Sequence, residues 1–283
     1  MKTMRILVLV PTISNQFYSR IIKGVQSVAE ENGYHVMLAI TNADPVVEME
    51  YIKTLQTKLV DGIIFLHCTL HAQELTELAV SWPMVLACEI VKDAKVSMVT
   101  IGNEKAAYDA TCFLLENGNR DISLACAGDL YYSSILRRKG YEQALLDHGI
   151  PVDLSLITNE GFSFNAGKRA ANEMLSWKKL PDAVFAVSDA AAIGIISEFH
   201  KHSIEAGKDI SIVGFDNNQI AEYYIPSLTT VSQPQLDIGH KAMTLLIKKM
   251  EDISCENEHI ILSHEIEIRT SVKLSESNIR KED

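Results

Sequence analysis

The 283 residues carry 26 Lys+Arg against 37 Asp+Glu, a formal net charge of −11, and 47% are hydrophobic. A surface that grips DNA through its phosphates is basic, so this chain by itself is a poor DNA binder. No apolar run approaches the roughly 18 residues of a membrane span, and the length suits two lobes better than one ordinary α/β core.

The first half alternates strand and helix. Arg5–Val10 is a short apolar run that reads as a strand covered on both faces. Met1-Lys2-Thr3-Met4-Arg5 leads directly into Ile6–Val10, an apolar run too short for a signal peptide and without a small-residue cleavage site. Asn15–Asn32 has helical spacing at Phe17, Ile21, Ile22, Val25 and Val28, and Gly33 supplies the stop. His35–Thr41 is a strand, and Asp44-Pro45 opens a helix with Pro at its tolerated first position. Strands follow at Gly62–His67, Met84–Ala87 and Val96–Ile101, with a short helix at Ala72–Val80.

The second half repeats the pattern. Helices are predicted at Asn103–Glu116, Ser134–His148, Asn165–Ser176 and Asp189–His202, and strands at Ile122–Ala127, Leu156–Thr158 and Ala183–Val187. The run from Ile210 to Phe215 is a further strand that stops at Asp216-Asn217-Asn218, residues that favour turns. A Pro-containing turn at Tyr224-Ile225-Pro226 leads to a β-branched run at Leu228–Val231 and then Gln233-Pro234. Gln235–Met250 is a helix, two short segments (His259–Leu262 and Glu265–Ile268) finish the fold, and the polar tail from Ser275 is expected to be disordered.

Repeated strand–helix units give an α/β chain with two similar lobes, each a doubly wound, mostly parallel sheet with helices on both faces, joined by crossover hinges. The expected division is 4–101 plus 234–258 for one lobe, 102–233 plus 259–274 for the other, and 275–283 as tail. Such a pair of lobes suits closure around a small ligand.

Enzyme signatures are absent. There is no G-x-x-x-x-G-K-[ST] loop and no G-x-G-x-x-G after the first strand. Gly161-Phe162-Ser163-Phe164-Asn165 fails as a nucleophile elbow because Asn165 replaces the second Gly. No enzyme activity and no cofactor are therefore expected. His67, Cys68 and His71, or His200 and His202, lack the second pair of ligands a metal site needs, so they read as solvated or core residues and no metal is expected. Five scattered cysteines without a C-x-x-C pair suggest reduced thiols and a cytoplasmic location.

Open α/β sheets bind ligands at the carboxyl ends of their strands, and the candidates sit there. Asn15 caps a helix or meets a ligand, and Phe17 is core or stacks on a ring. Arg137, one of two adjacent arginines, offers a planar fork for hydroxyls or carbonyls if it points inward. Phe162 follows a strand and can stack, whereas Phe164 reads as packed. Asp189 reads most simply as the cap of its helix. Asp216 is the hardest to explain without a ligand.

At these residues the sequence resembles the effector-binding region of the LacI/GalR family of bacterial transcriptional repressors, over about Arg5 to Ser271. Val10–Tyr18, Val60-Asp61-Gly62-Ile63-Ile64, Arg137–Leu145, Asp209–Asn217 and Pro226–Pro234 are similar to five family motifs in the correct order. The resemblance implies a type I periplasmic-binding-protein-like fold. It implies effector-binding roles for Arg137 and Asp216, wall positions for Phe17, Tyr18 and Phe162, and polar positions near the ligand for Ser188 and Gln233, with Asn15 in the first turn. It also implies a homodimer, a small polar effector (nucleoside or sugar) in the interlobe cleft, no membrane partner, and operator DNA contacted only through an N-terminal helix-turn-helix that this chain is expected to lack.

Two departures bear on the ligand. Gly102 stands where the family carries an acidic residue, and Cys88-Glu89 where it often has Asp or Asn. Glu160–Gly167 resembles the cytidine-repressor branch, which points to a nucleoside, with sugars as the rival. The alternative function is a periplasmic sugar- or nucleoside-binding protein of a transport system.

Overall fold

The computed structural model describes residues 2–129 and 131–275. The chain forms two compact units, one running through Ile101 and resuming at Pro234–Ser263, the other comprising Gly102–Gln233 and the described residues from His264.

The first unit contains β1 (Arg5–Val10), α1 (Gln16–Glu31), β2 (His35–Ile40), α2 (Pro45–Gln56), β3 (Gly62–Phe65), α3 (Ala72–Ser81), β4 (Met84–Ala87) and β5 (Ser97–Ile101). Its sheet has the order β11-β5-β4-β3-β1-β2, where β11 is His259–Leu262, and every neighbouring pair is parallel. The central strands are apolar on both faces because both are covered: Ile6, Val8, Leu9 and Val10 are fully buried. A core of Leu9, Ile52, Leu55, Ile63, Phe65, Leu75 and Leu86 fills one side.

The capping signals act as read. Asn15 caps α1 by accepting from the Phe17 amide at 3.0 Å, and Asp44 caps α2 at Val46 with Pro45 at the first position. Helix α9 (Gln235–Glu251) returns to this unit and packs on α1. The crossing is glycine against backbone: a Cβ on Gly24 would strike the Leu236 carbonyl oxygen, and one on Gly239 the Ile21 carbonyl oxygen. Gly239→Ala is therefore expected to force the two helices apart and cost about 1–3 kcal/mol. The check is a thermal melt, in which the midpoint should fall by several degrees.

The second unit contains α4 (Asn103–Glu116), β6 (Ile122–Cys126), α5 (Tyr132–Asp147), a 3-10 turn at Leu154–Leu156, β7 (Ile157–Asn159), α6 (Phe164–Leu175), β8 (Ala183–Ala186), α7 (Asp189–Lys201), β9 (Ser211–Asp216), α8 (Gln219–Tyr223), β10 (Thr229–Ser232) and β12 (Glu265–Glu267). Its sheet order is β12-β10-β9-β8-β6-β7, parallel except for the β10–β12 pair. Phe185, Phe199, Ile212, Phe215 and Leu228 are fully buried in it. Helices lie on both faces of both sheets, as the alternation of elements predicts.

Two expectations need correction. Residues 259–274 do not all belong with the second unit: β11 lies parallel to β5, with His259 opposite Met98 and Leu262 opposite Ile101, so it completes the first sheet. Partner choice for a four-residue strand is a tertiary matter that its own sequence does not encode. Gln219–Tyr223, for which the sequence predicts no element, forms the short helix α8. Phe164, expected to pack, is 43% exposed at the start of α6. The expectation about the tail concerns residues that, from 276 on, lie outside the described residues.

Candidate functional site

The second unit gathers five of the predicted residues at the carboxyl ends of its strands. Arg137 projects from α5 and is only 6% exposed, whereas its neighbour Arg138 pairs with Glu142 at 2.7 Å on the surface. The Arg137 guanidinium lies 3.6 Å over the Phe215 ring. Its Nε donates to Asn103 Oδ1 at 2.9 Å and one terminal nitrogen donates to the Val187 carbonyl at 2.6 Å. Burial, ring face and two acceptors hold the fork in one orientation.

Asp216 ends β9 and is 4% exposed. Gln233, just past β10, donates to its Oδ1 at 2.7 Å. Burial pushes the Asp216 carboxyl up to about 7, against the opposing pull of the Arg137 charge and the Gln233 hydrogen bond. Its backbone is at φ +120 and that of Asn217 at φ +55. Consecutive non-glycine residues at positive φ store strain that the surroundings must over-determine.

Ser188 is the cap of α7: its Oγ accepts from the Ala191 amide at 3.1 Å and donates to the Phe162 carbonyl at 2.8 Å. This corrects the reading of Asp189 as the cap. Asp189 is the first helical residue and has no exposure at all. Its Oδ2 accepts from the Asn218 amide at 2.6 Å and its Oδ1 from the Thr230 hydroxyl at 2.5 Å. Burial first, and the Asp216 charge second, push its carboxyl well up. Phe162 stands edge-on to Tyr131, with ring centroids 5.0 Å apart.

Sequence reasoning missed Asn103 and Tyr131 as contributors here. Asn103 opens α4 just past the end of β5, and Tyr131 caps α5 in the loop that follows β6, so the strand-end rule that found Asp216 was the available signal.

The other three predicted residues belong to the first unit, at the carboxyl end of β1. Asn15 is a helix cap, Phe17 is 7% exposed, and Tyr18 meets it edge-on with centroids 5.3 Å apart. At the ends of β3 and β4 of the same unit, His67 Nδ1 lies 3.9 Å from Glu89 Oε2, both residues being buried. Glu48, fully buried on α2, accepts from the Thr69 amide at 3.0 Å and from the Cys68 thiol at 3.5 Å. Burial pushes both the Glu48 carboxyl and the Cys68 thiol up. Among the described residues, no group of three His, Cys, Asp or Glu is placed to hold a metal ion.

A family model described as a periplasmic binding protein-like domain matches residues 111–272. The chain is 33% identical over 275 residues to catabolite control protein A of Priestia megaterium, covering 96% of this chain and 82% of that protein. It is 34% identical over 269 residues to the HTH-type transcriptional repressor CytR of Escherichia coli (strain K12), covering 95% and 79%. The structure superposes on transcription regulator CcpA of Lactococcus lactis with a TM-score of 0.88 at 31% identity, covering 96% and 100%.

The chain belongs to the LacI family of transcriptional regulators. A further LacI family regulator, from Enterococcus faecium and with bound ribose, superposes with a TM-score of 0.87 at 25% identity, covering 96% of this chain and 100% of that one. The LacI-family relatives support a regulator over a transport protein, and the relatives named here are regulators rather than enzymes. Among the described residues no helix is long and apolar enough to cross a membrane.

Proposed function

We propose that this LacI-family chain senses a small polyhydroxylated ligand, a sugar or a nucleoside, through Arg137 and Asp216. The observation that carries the proposal is the buried guanidinium and carboxylate set in one unit at the strand ends. A guanidinium donates to hydroxyl oxygens and a carboxylate accepts from hydroxyl protons, so together they match adjacent hydroxyls on one ring. Phe162 and Tyr131 supply aromatic surface beside them, and Ser188 and Gln233 the supporting polar groups. The bound ribose of the E. faecium regulator and the cellobiose of the CelR complex supply the ligand chemistry; the CytR relative and the Glu160–Gly167 segment keep a nucleoside in the set.

The test is a thermal-shift screen of the chain with ribose, cellobiose and cytidine. Ligand at about 100 times its dissociation constant adds roughly 2.7 kcal/mol. A shift with any of the three that disappears in Asp216→Ala supports the reading; no shift with any removes the ligand class.

The chain is proposed to work as a cytoplasmic homodimer, without enzymatic activity, regulating operator DNA through a helix-turn-helix of the kind for which the relatives are named. The net charge of −11 assigns phosphate contact to such a segment rather than to this region. Dimerisation has two candidate apolar surfaces. Edge strand β2 exposes Met37 (47%), Leu38 (51%) and Ile40 (39%) in the first unit, and Tyr223 (68%) and Ile225 (89%) project from the second. Leu38→Glu is expected to shift the chain from dimer to monomer in sedimentation velocity, with the fold retained by circular dichroism.

A further inference from the structure

The mechanism proposed so far uses Asp216 but not Asp189, a carboxyl group with no exposure lying behind it. Asp189 does not touch solvent, and Ser188 already supplies the side-chain cap of α7. Its two oxygens are committed elsewhere. One accepts from the Asn218 amide at 2.6 Å; the other accepts from the Thr230 hydroxyl at 2.5 Å. That same Thr230 oxygen accepts from the Asn217 amide at 3.3 Å. Both backbone amides after Asp216 are thereby tied to one Asp189–Thr230 unit. Asn218 lies 29 residues from Asp189, and Asn217 lies 13 from Thr230, along the chain.

The segment so tied is the strained one, with Asp216 at φ +120 and Asn217 at φ +55. Such a conformation persists only where neighbouring groups fix it. Gly214 completes the arrangement: a Cβ there would run into Asp189 Oδ1, so glycine leaves the room the carboxyl occupies.

We propose that Asp189 is a positioning residue of the ligand site, a clamp that holds the Asp216–Asn218 turn in the left-handed geometry that presents the Asp216 carboxyl. The proposal rests on the reading of Asp216 as a ligand-binding group. Burial and the nearby Asp216 charge favour the neutral acid at Asp189. In Asn, Oδ1 can still accept from the Asn218 amide while Nδ2 donates to the Thr230 hydroxyl oxygen, whose own proton turns to the Val231 carbonyl 3.5 Å away. Asp189→Asn therefore keeps the clamp and Asp189→Ala removes it.

The test has two arms on the whole chain. The first needs no ligand: hydrogen exchange of individual amides by NMR. In Asp189→Ala the Asn217 and Asn218 amides are expected to exchange roughly ten-fold faster, the equivalent of one lost hydrogen bond, while amides in the middle of α7 change little. Asp189→Asn should restore slow exchange. Unchanged exchange at Asn217 and Asn218 in Asp189→Ala overturns the proposal. So does equal acceleration throughout α7, which marks a helix-stabilising role only. If Asp189→Ala does not fold, Thr230→Val removes the shared hydroxyl, and the same local acceleration is expected.

The second arm is calorimetric titration with ribose, with cellobiose and with cytidine. Whichever binds the wild type is expected to bind Asp189→Ala at least ten-fold more weakly and Asp189→Asn nearly as well. Undiminished binding to Asp189→Ala overturns the positioning role. If none of the three binds the wild type, the ligand reading of Asp216 falls, while the exchange arm still decides whether Asp189 is the clamp.

Discussion

Replacing Arg137 by Ala is expected to abolish binding of whichever of ribose, cellobiose or cytidine shifts the wild type, and to destabilise the free chain by about 3–5 kcal/mol, the loss of two buried hydrogen bonds from a charged donor at about 1.5–3 kcal/mol each. The size follows from where the guanidinium sits. It is 6% exposed, covers the Phe215 ring, and supplies hydrogen bonds to Asn103 and to the Val187 carbonyl. Its charge is also a principal force holding the Asp216 carboxyl down against burial. Truncation removes all of this at once. Arg137→Lys separates the contributions, because it keeps a charge but cannot span Asn103 and Val187 with a planar fork. We expect Lys to recover part of the stability and little of the binding. Thermal melts and calorimetric titration on the two variants check both. Full binding by Arg137→Ala would remove Arg137 from the site.

Asp216→Asn is expected to stabilise the free chain at pH 8 while it weakens ligand binding. The folded carboxyl titrates at about 7, against an ordinary value of 3.8, with burial the largest cause. The folded state therefore holds a proton between those values that the unfolded chain has released. Stability falls as pH rises from about 4 to 7 and is flat above. With 1.36 kcal/mol per unit, the cost at pH 8 reaches about 4 kcal/mol, and Asn, which cannot ionise, avoids it.

Ligand binding runs the other way. Accepting hydroxyl protons requires the ionised carboxylate, so affinity should fall about ten-fold per pH unit below 7. Titration at pH 6 and pH 8 should show that loss in the wild type and not in Asp216→Asn. A wild-type affinity independent of pH would show that Asp216 is ionised throughout, or does not meet the ligand. Held together, the two effects describe a site that sacrifices stability for function.

Much of this was legible in the residues. Apolar runs such as Ile6–Val10 and Ile212–Phe215, interrupted by amphipathic helices with Asn, Asp or Ser at their starts and Gly33 or Gly149 at their ends, dictate a doubly wound parallel architecture through local periodicity and capping. Asp216 stood out because a carboxylate at the end of a buried strand is costly and needs a reason. Arg137 was identified through an ordered set of motifs, but its inward direction was not: the adjacent Arg138 has the same chemistry and faces solvent with Glu142.

Two further features were invisible. The roles of Asp189 and Glu48 depend on partners at Asn218, Thr230 and Thr69, 29, 41 and 21 residues away. The sheet that receives β11 depends on which edge strand is open, and that edge is β5.

The sequence alone determined most of the elements and their order, because propensity, periodicity and capping act over one turn of helix or one strand, and an ordered set of motifs carried the resemblance to the family. The tertiary structure decided which polar side chains are buried and who satisfies them. A desolvated carboxyl or guanidinium must find its partners in space, and no local rule says which distant amide or ring will be there.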